Sequence, residues 1–204
     1  MQDVRKFFVI GAVVAAAAIP YAASAAQFGG EVFGAYNTYS MGDVNDALPT
    51  GADELSGGLT GGIGLRMWAS PQFMLSGVWE PLFLETEDSS GDKHNLDANS
   101  FQVSGGYFFP STTNSKYGIG AGVGYYTIGG ETPGPGGSTL DVEGSGVGFH
   151  FLGMGEWTMS PGFGVTAGAG YRIADIEIDN AGGATADYSG FMGRLGVAFY
   201  MPTK

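Results

Sequence analysis

Tyr117-Gly118-Ile119-Gly120-Ala121-Gly122-Val123-Gly124-Tyr125 puts an apolar or aromatic residue at every odd position and glycine at every even one. A helix would scatter the two sets around its circumference. An extended strand sends them to opposite faces, because strand side chains alternate with period two. One face is then lipid-like and the other nearly bare, which is the pattern of a strand in a transmembrane β-barrel.

Working outward, seven more runs carry the same alternation. With this one they predict strands at 28–39, 58–68, 73–86, 98–109, 116–129, 142–158, 163–177 and 187–200, each with at least the 9 to 11 residues a tilted strand needs to span a bilayer. Tyr117 and Tyr125 mark roughly 20 Å along the membrane normal at a tilt near 40°. The connections at 69–72, 110–115 and 160–162 are short, whereas those at 40–57, 87–97, 130–141 and 178–186 are long and polar. Outer-membrane barrels have short periplasmic turns and longer external loops. The expectation is therefore an all-β, eight-stranded antiparallel up-and-down transmembrane β-barrel in the outer membrane, with both termini periplasmic. Trp68 and Trp157 each precede a Pro-containing turn, at Pro71 and Pro161, and are read as interface anchors.

Residues 1–26 read as a cleavable signal peptide and 27–204 as the barrel domain. Arg5 and Lys6 precede an apolar run that Pro20 ends, and Ala23-Ser24-Ala25 supplies the small residues for cleavage after Ala25 or Ala26. That run is too short for a membrane helix, which needs about 20 residues. There is no cysteine, hence no disulfide framework and no thiolate metal site. The 38 glycines stand in register with aromatic and branched residues, so they belong to strands rather than to disorder.

Charge assigns the faces. Arg or Lys pointing at mid-membrane lipid costs about 2–4 kcal/mol, so Arg66, Arg172 and Arg194 must point inward. The opposite parity then reads Leu59, Ile63, Leu65, Met67; Val165, Ala167, Ala169, Tyr171; and Phe191, Leu195, Val197, Phe199, all suited to lipid. The same rule collects Glu31, Arg66, Glu80, His150, Glu156, Arg172 and Arg194 in the lumen as a charge network. Counted from the strand ends, Glu31, Arg66, Glu156 and Arg194 form a lower level and Glu80, His150 and Arg172 a higher one. Buried charges must pair, and eight strands enclose room only for side chains or one small ligand, so the network is read as a plug. Glycine dominates the inward positions of the fifth to seventh strands, and Phe33, Met74, Val78, Leu82 and Phe108 face them from the others. Complementary packing explains this; a narrow apolar cavity lined by Val78, Leu82, Leu152 and Met154 is the alternative.

The formal charge is -12, and loss of Asp3, Arg5 and Lys6 with the signal segment makes it -13. The acids gather in or beside the long loops, which opposes nucleic acid as a partner. Asp175, Glu177 and Asp179 continue an outward face and form a candidate rim for weakly bound Ca or Mg against anionic lipid headgroups; a solvated acidic rim that keeps the surface soluble is the preferred reading. Otherwise the sequence implies no cofactor. His94 lies in a polar loop and His150 has lumen parity, and no nucleophile elbow, His-Glu-x-x-His or phosphate loop is present.

With its strand pattern and alternating loop lengths, 27–200 resembles the small eight-stranded outer-membrane barrels: OmpA-like transmembrane domains, OmpX-like proteins and OmpW-like proteins. The resemblance implies an integral outer-membrane protein in contact with lipopolysaccharide, non-enzymatic, with a structural or surface-interaction role through loops that meet an external protein or other ligand. An OmpW-like conduit for small hydrophobic molecules is the alternative. A third reading, a lipid-modifying barrel enzyme, is opposed at the residues that matter. In barrel-type lipid A deacylases a lipid-facing His is followed two positions later by Ser, whereas His150 is followed by Phe151 and Leu152.

Overall fold

The computed structural model describes residues 26–40, 57–87, 93–111, 114–133, 139–179 and 185–202. The segment read as a signal peptide, apart from Ala26, and the tips of the four long connections lie outside the described residues.

Nine strand segments follow in order: β1 Gln27–Thr38, β2 Gly57–Trp68, β3 Phe73–Glu87, β4 Lys93–Phe108, β5 Ser115–Pro133, β6 Thr139–Ser160, β7 Phe163–Ile178, β8 Thr185–Asp187 and β9 Gly190–Tyr200. Each strand pairs antiparallel with the next, and β9 closes on β1, from Gly29 opposite Tyr200 to Asn37 opposite Met192. β8 and β9 keep one register against β7, with Asp175 opposite Asp187 and Arg172 opposite Gly190. The Tyr188 N–H donates to the Ala174 carbonyl at 2.8 Å between them. They are two parts of one strand, and the barrel has eight.

The register gives the tilt. Starting at Gln27, the paired positions run Trp68, Met74, Gly106, Gly120, Leu152, Gly170 and Met192, and return to β1 at Asn37. One circuit climbs from residue 27 to residue 37. A climb of that size over eight strands spaced about 4.8 Å apart tilts them about 40° from the axis. Gln27 and Tyr200, where the first strand begins and the last ends, lie on the side that carries the short connections.

The strands run beyond the expected boundaries on the opposite side. Lys93–Phe108 starts inside what reads as a loop, with Lys93 opposite Glu87, and the β5–β6 ladder continues to Pro133 opposite Thr139. Period-two alternation marks only the stretch whose two faces have different surroundings, so a backbone ladder that continues past it leaves no such signal in the sequence.

One seam is shorter than the others. β2 and β3 pair only from Ile63 opposite Trp79 to Trp68 opposite Met74, whereas β1 and β2 remain paired up to Thr38 opposite Gly57. Pro81 lies just past the last pair on β3 and has no N–H to donate. The Thr60 hydroxyl donates to the Pro81 carbonyl in place of a backbone group.

Candidate functional site

The lumen brings together the residues with chemistry. At the end bearing the short turns, five strands supply one connected chain of contacts. Trp68 Nε1 donates to the Tyr200 hydroxyl at 3.2 Å, which donates to Glu156 Oε2 at 2.7 Å. Arg66 Nη1 lies 3.0 Å from the same Oε2, and Arg66 Nε lies 3.9 Å from Glu31 Oε2. The Thr166 hydroxyl donates to Glu31 Oε1 at 2.5 Å. Arg66 also places Nη2 2.9 Å from the Met74 sulfur. Lys116 lies 4.1 Å from the Trp68 ring centroid and closes this end.

Above this lies an apolar section. Phe33, Ala35 and Val78 form one cluster, and Trp68, Met74, Phe108, Leu152, Met154 and Met192 another. The glycines facing them are sockets. A Cβ on Gly62 or Gly196 would meet the Phe33 side chain, and one on Gly106 or Gly120 the tip of Met154. Large side chains from one wall thus lie flat on the bare backbone of another, which is how a narrow barrel reaches interior packing density. Val78, Leu152 and Met154, read as lining one cavity, fall into two packed clusters; the Leu82 side chain lies outside the described residues.

The outer section is polar. Glu80 accepts hydrogen bonds from Asn37 Nδ2 at 2.6 Å and Gln102 Nε2 at 3.3 Å. His150 is fully buried, with Nε2 2.6 Å from the Ser104 hydroxyl. Arg172, 1% exposed, donates from Nε to the Tyr188 carbonyl at 3.0 Å. Its guanidinium carbon lies 4.2, 5.2 and 5.3 Å from the ring centroids of Tyr188, Tyr39 and Tyr126. Tyr39 and Tyr188 stack at 4.5 Å, so three tyrosines roof the lumen over a cation.

Of the seven charged positions expected in the lumen, Glu31, Arg66 and Glu156 meet in one group. Arg194 does not join them. It stands opposite Ala35, nearer the outside than Glu31, and its guanidinium carbon is 5.5 Å from the Phe33 ring centroid. Counting from strand ends misses this because the tilted register climbs around the barrel. Glu80 is held by two amides, with no ion pair to Arg172 among the described residues.

Tyr39, Tyr126, Tyr188, Trp68, Tyr200, Asn37 and Gln102 were not read as site residues. Trp68 corrects an expectation: it is 4% exposed and packs in the lumen against Phe108 rather than anchoring at the interface. Its parity with Arg66 carried the signal. Trp157 does sit outside, edge-on to Tyr117 at 5.9 Å.

No protein-family model and no curated protein matches the chain. Solved structures do. OprG, an outer membrane protein of Pseudomonas aeruginosa, superposes with a TM-score of 0.62 at 9% identity, over 88% of this chain and 98% of that one. Neisserial surface protein A gives 0.56 at 13% identity, over 87% and 97%. The Yersinia pestis attachment invasion locus protein Ail, in complex with the heparin analogue sucrose octasulfate, gives 0.51 at 12% identity, over 86% and 99%. The fold is that of the small eight-stranded outer-membrane barrels.

As in any outer-membrane barrel, the exterior must suit lipid. Val32, Ile63, Leu65, Val103, Ile119 and Leu195 are exposed between two aromatic levels. The lower level includes the Phe73–Tyr107 and Phe163–Phe199 pairs, with ring centroids 5.2 and 5.4 Å apart; Tyr36, Phe101, Phe149, Tyr171 and Phe191 are exposed on the other side. Beyond this barrel's apolar band, Asp175, Glu177 and Asp179 are exposed, and Asp175 stands opposite Asp187. Among the described residues no three His, Cys, Asp or Glu side chains are grouped closely enough to hold a metal ion. The His94 side chain and most loop acids lie outside the described residues.

Proposed function

We propose that this chain is a non-enzymatic, integral outer-membrane barrel with both termini periplasmic and a closed lumen, which meets its surroundings through acidic external loops. The observation that carries the reading is the filling of both lumen ends, by the Trp68–Tyr200–Glu156–Arg66–Glu31 chain below and the tyrosine roof on Arg172 above. The lipid-suited exterior supports the location. His150 supports the absence of catalysis, since it is fully buried with Nε2 against the Ser104 hydroxyl. The acidic loops favour a cationic protein surface over a sulfated glycan of the kind seen with Ail, because formal charge is already -12. Asp175, Glu177 and Asp179 would share weakly bound Ca or Mg with lipopolysaccharide headgroups.

The test is ion current and flux of a small apolar solute through the refolded exported chain, in planar bilayers and in liposomes. Silence in both is expected; a reproducible unitary conductance would overturn the closed lumen.

The short β2–β3 seam favours a second reading, a conduit for small hydrophobic molecules that leave sideways into the outer leaflet. Pro81→Val returns the missing N–H and should extend the ladder past Trp79, raising stability by about 0.5–1.5 kcal/mol per hydrogen bond formed. Solute flux in the parent chain that drops in Pro81→Val would favour the conduit; flux absent from both favours the closed barrel.

A further inference from the structure

β3 stays paired with β4 as far as Glu87 opposite Lys93, and β4 with β5 as far as Leu96 opposite Gly130, whereas β2 leaves β3 after Ile63 opposite Trp79. Among the described residues no strand pairs with the β2 side of β3 from Pro81 to Glu87. Parity decides which backbone groups this leaves over. A Cβ on Gly62 of β2 would meet the Trp79 carbonyl, and the Pro81 carbonyl accepts the Thr60 hydroxyl of β2, while the Glu80 carbonyl accepts from Ser100 of β4 at 3.4 Å. Odd residues of β3 thus aim N–H and C=O away from β4, and those of Phe83, Glu85 and Glu87 meet no described strand. Trp79 stands opposite Phe101 of the upper aromatic level, so this edge runs on past the apolar band. By position, Glu85, Glu87 and Asp97 share one face of the sheet with Lys93. Leu84 opposite Leu96 and Leu82 opposite Ala98 share the other.

We propose that this edge docks an extended, cationic segment of an external protein, which joins β3 as an added strand. Backbone hydrogen bonds to Phe83, Glu85 and Glu87 supply affinity, and alternate side chains supply specificity: basic residues on the face of Glu85 and Glu87, apolar ones on the face of Leu82 and Leu84. The inference deepens the reading of a barrel that meets its surroundings at its acidic end, and rests on that end being external. A bare edge is also a template for pairing between copies. Here two such edges laid together would bring like charges side by side, which is unfavourable, so the acids reserve the edge for a strand of opposite sign.

The experiment adds a short peptide of alternating lysine and valine to the refolded exported chain in micelles and follows affinity and amide hydrogen exchange. The Glu85 and Glu87 amides should exchange fast in the free barrel and slowly with peptide bound, while the Leu84 amide, which serves the β4 ladder, stays slow throughout. Glu85→Pro removes one edge N–H and leaves that ladder whole; it should weaken binding about tenfold. Glu85→Lys with Glu87→Lys should move the preference to a peptide of alternating glutamate and valine. If Glu85→Pro does not fold, the charge reversal and the exchange pattern still decide. Glu85 and Glu87 amides already protected in the free barrel, no binding by the parent chain, or equal binding of a peptide with the same residues in blocks would overturn the proposal. Bilayer current tests the closed lumen separately, since a unitary conductance would overturn that reading and leave the edge standing.

Discussion

Arg66→Met should cost the barrel about 3–5 kcal/mol, the usual loss when one partner of a buried ion pair is removed. Arg66 lies between two carboxylates, 3.0 Å from Glu156 and 3.9 Å from Glu31, and all three side chains are buried. Methionine fills similar space beside Met74 but leaves both acids without their shared cation. Urea titration of the refolded protein in lipid reads the loss directly. The triple variant Arg66→Met, Glu31→Gln, Glu156→Gln should recover most of it, because exchanging a whole buried network for neutral groups is often nearly free. A single variant as stable as the parent would show that the group contributes no stability.

Gly122→Ala should cost about 1–3 kcal/mol through overpacking. Its Cβ would collide with the Val103 carbonyl oxygen and lie 2.5 Å from His150 Nε2. The first is backbone and the second is held by Ser104, so neither can yield cheaply. Gly58→Ala is the control, since nothing lies within 4 Å of its added Cβ; it should be neutral or stabilising by about 0.5 kcal/mol, as alanine costs less strand entropy than glycine. Equal stability of the two variants would overturn the socket account of the glycines.

Much of this was readable from the chain because one physical constraint acts along its whole length. Lipid on one side and a narrow lumen on the other force period-two alternation, and the cost of an arginine in lipid sets the parity of Arg66 and Arg172. The same rule placed Glu31 and Glu156 beside Arg66. It did not place Arg194, because height in a barrel depends on tilt and register, which no single strand carries. Tyr39 and Tyr188 escaped notice for another reason: they flank regular strand segments at the outer end, where aromatics are expected at the interface, and only the closed circuit turns them in over Arg172. The β2–β3 seam could have been suspected from Pro81, yet how far the pairing continues past a proline is a property of both strands.

The group around Arg66 also constrains how the molecule is assembled. Its members come from β1, β2, β6, β7 and β9, so no stretch of a few consecutive strands can complete it. In an open sheet Glu31, Arg66 and Glu156 would face water or one another incompletely, and entering hydrocarbon in that state would strand bare charges. Only when the last strand meets the first does Arg66 reach Glu156 and Thr166 reach Glu31. Sealing the cylinder and entering the bilayer should therefore be a single concerted event, with these side chains blocking the passage of any half-built wall.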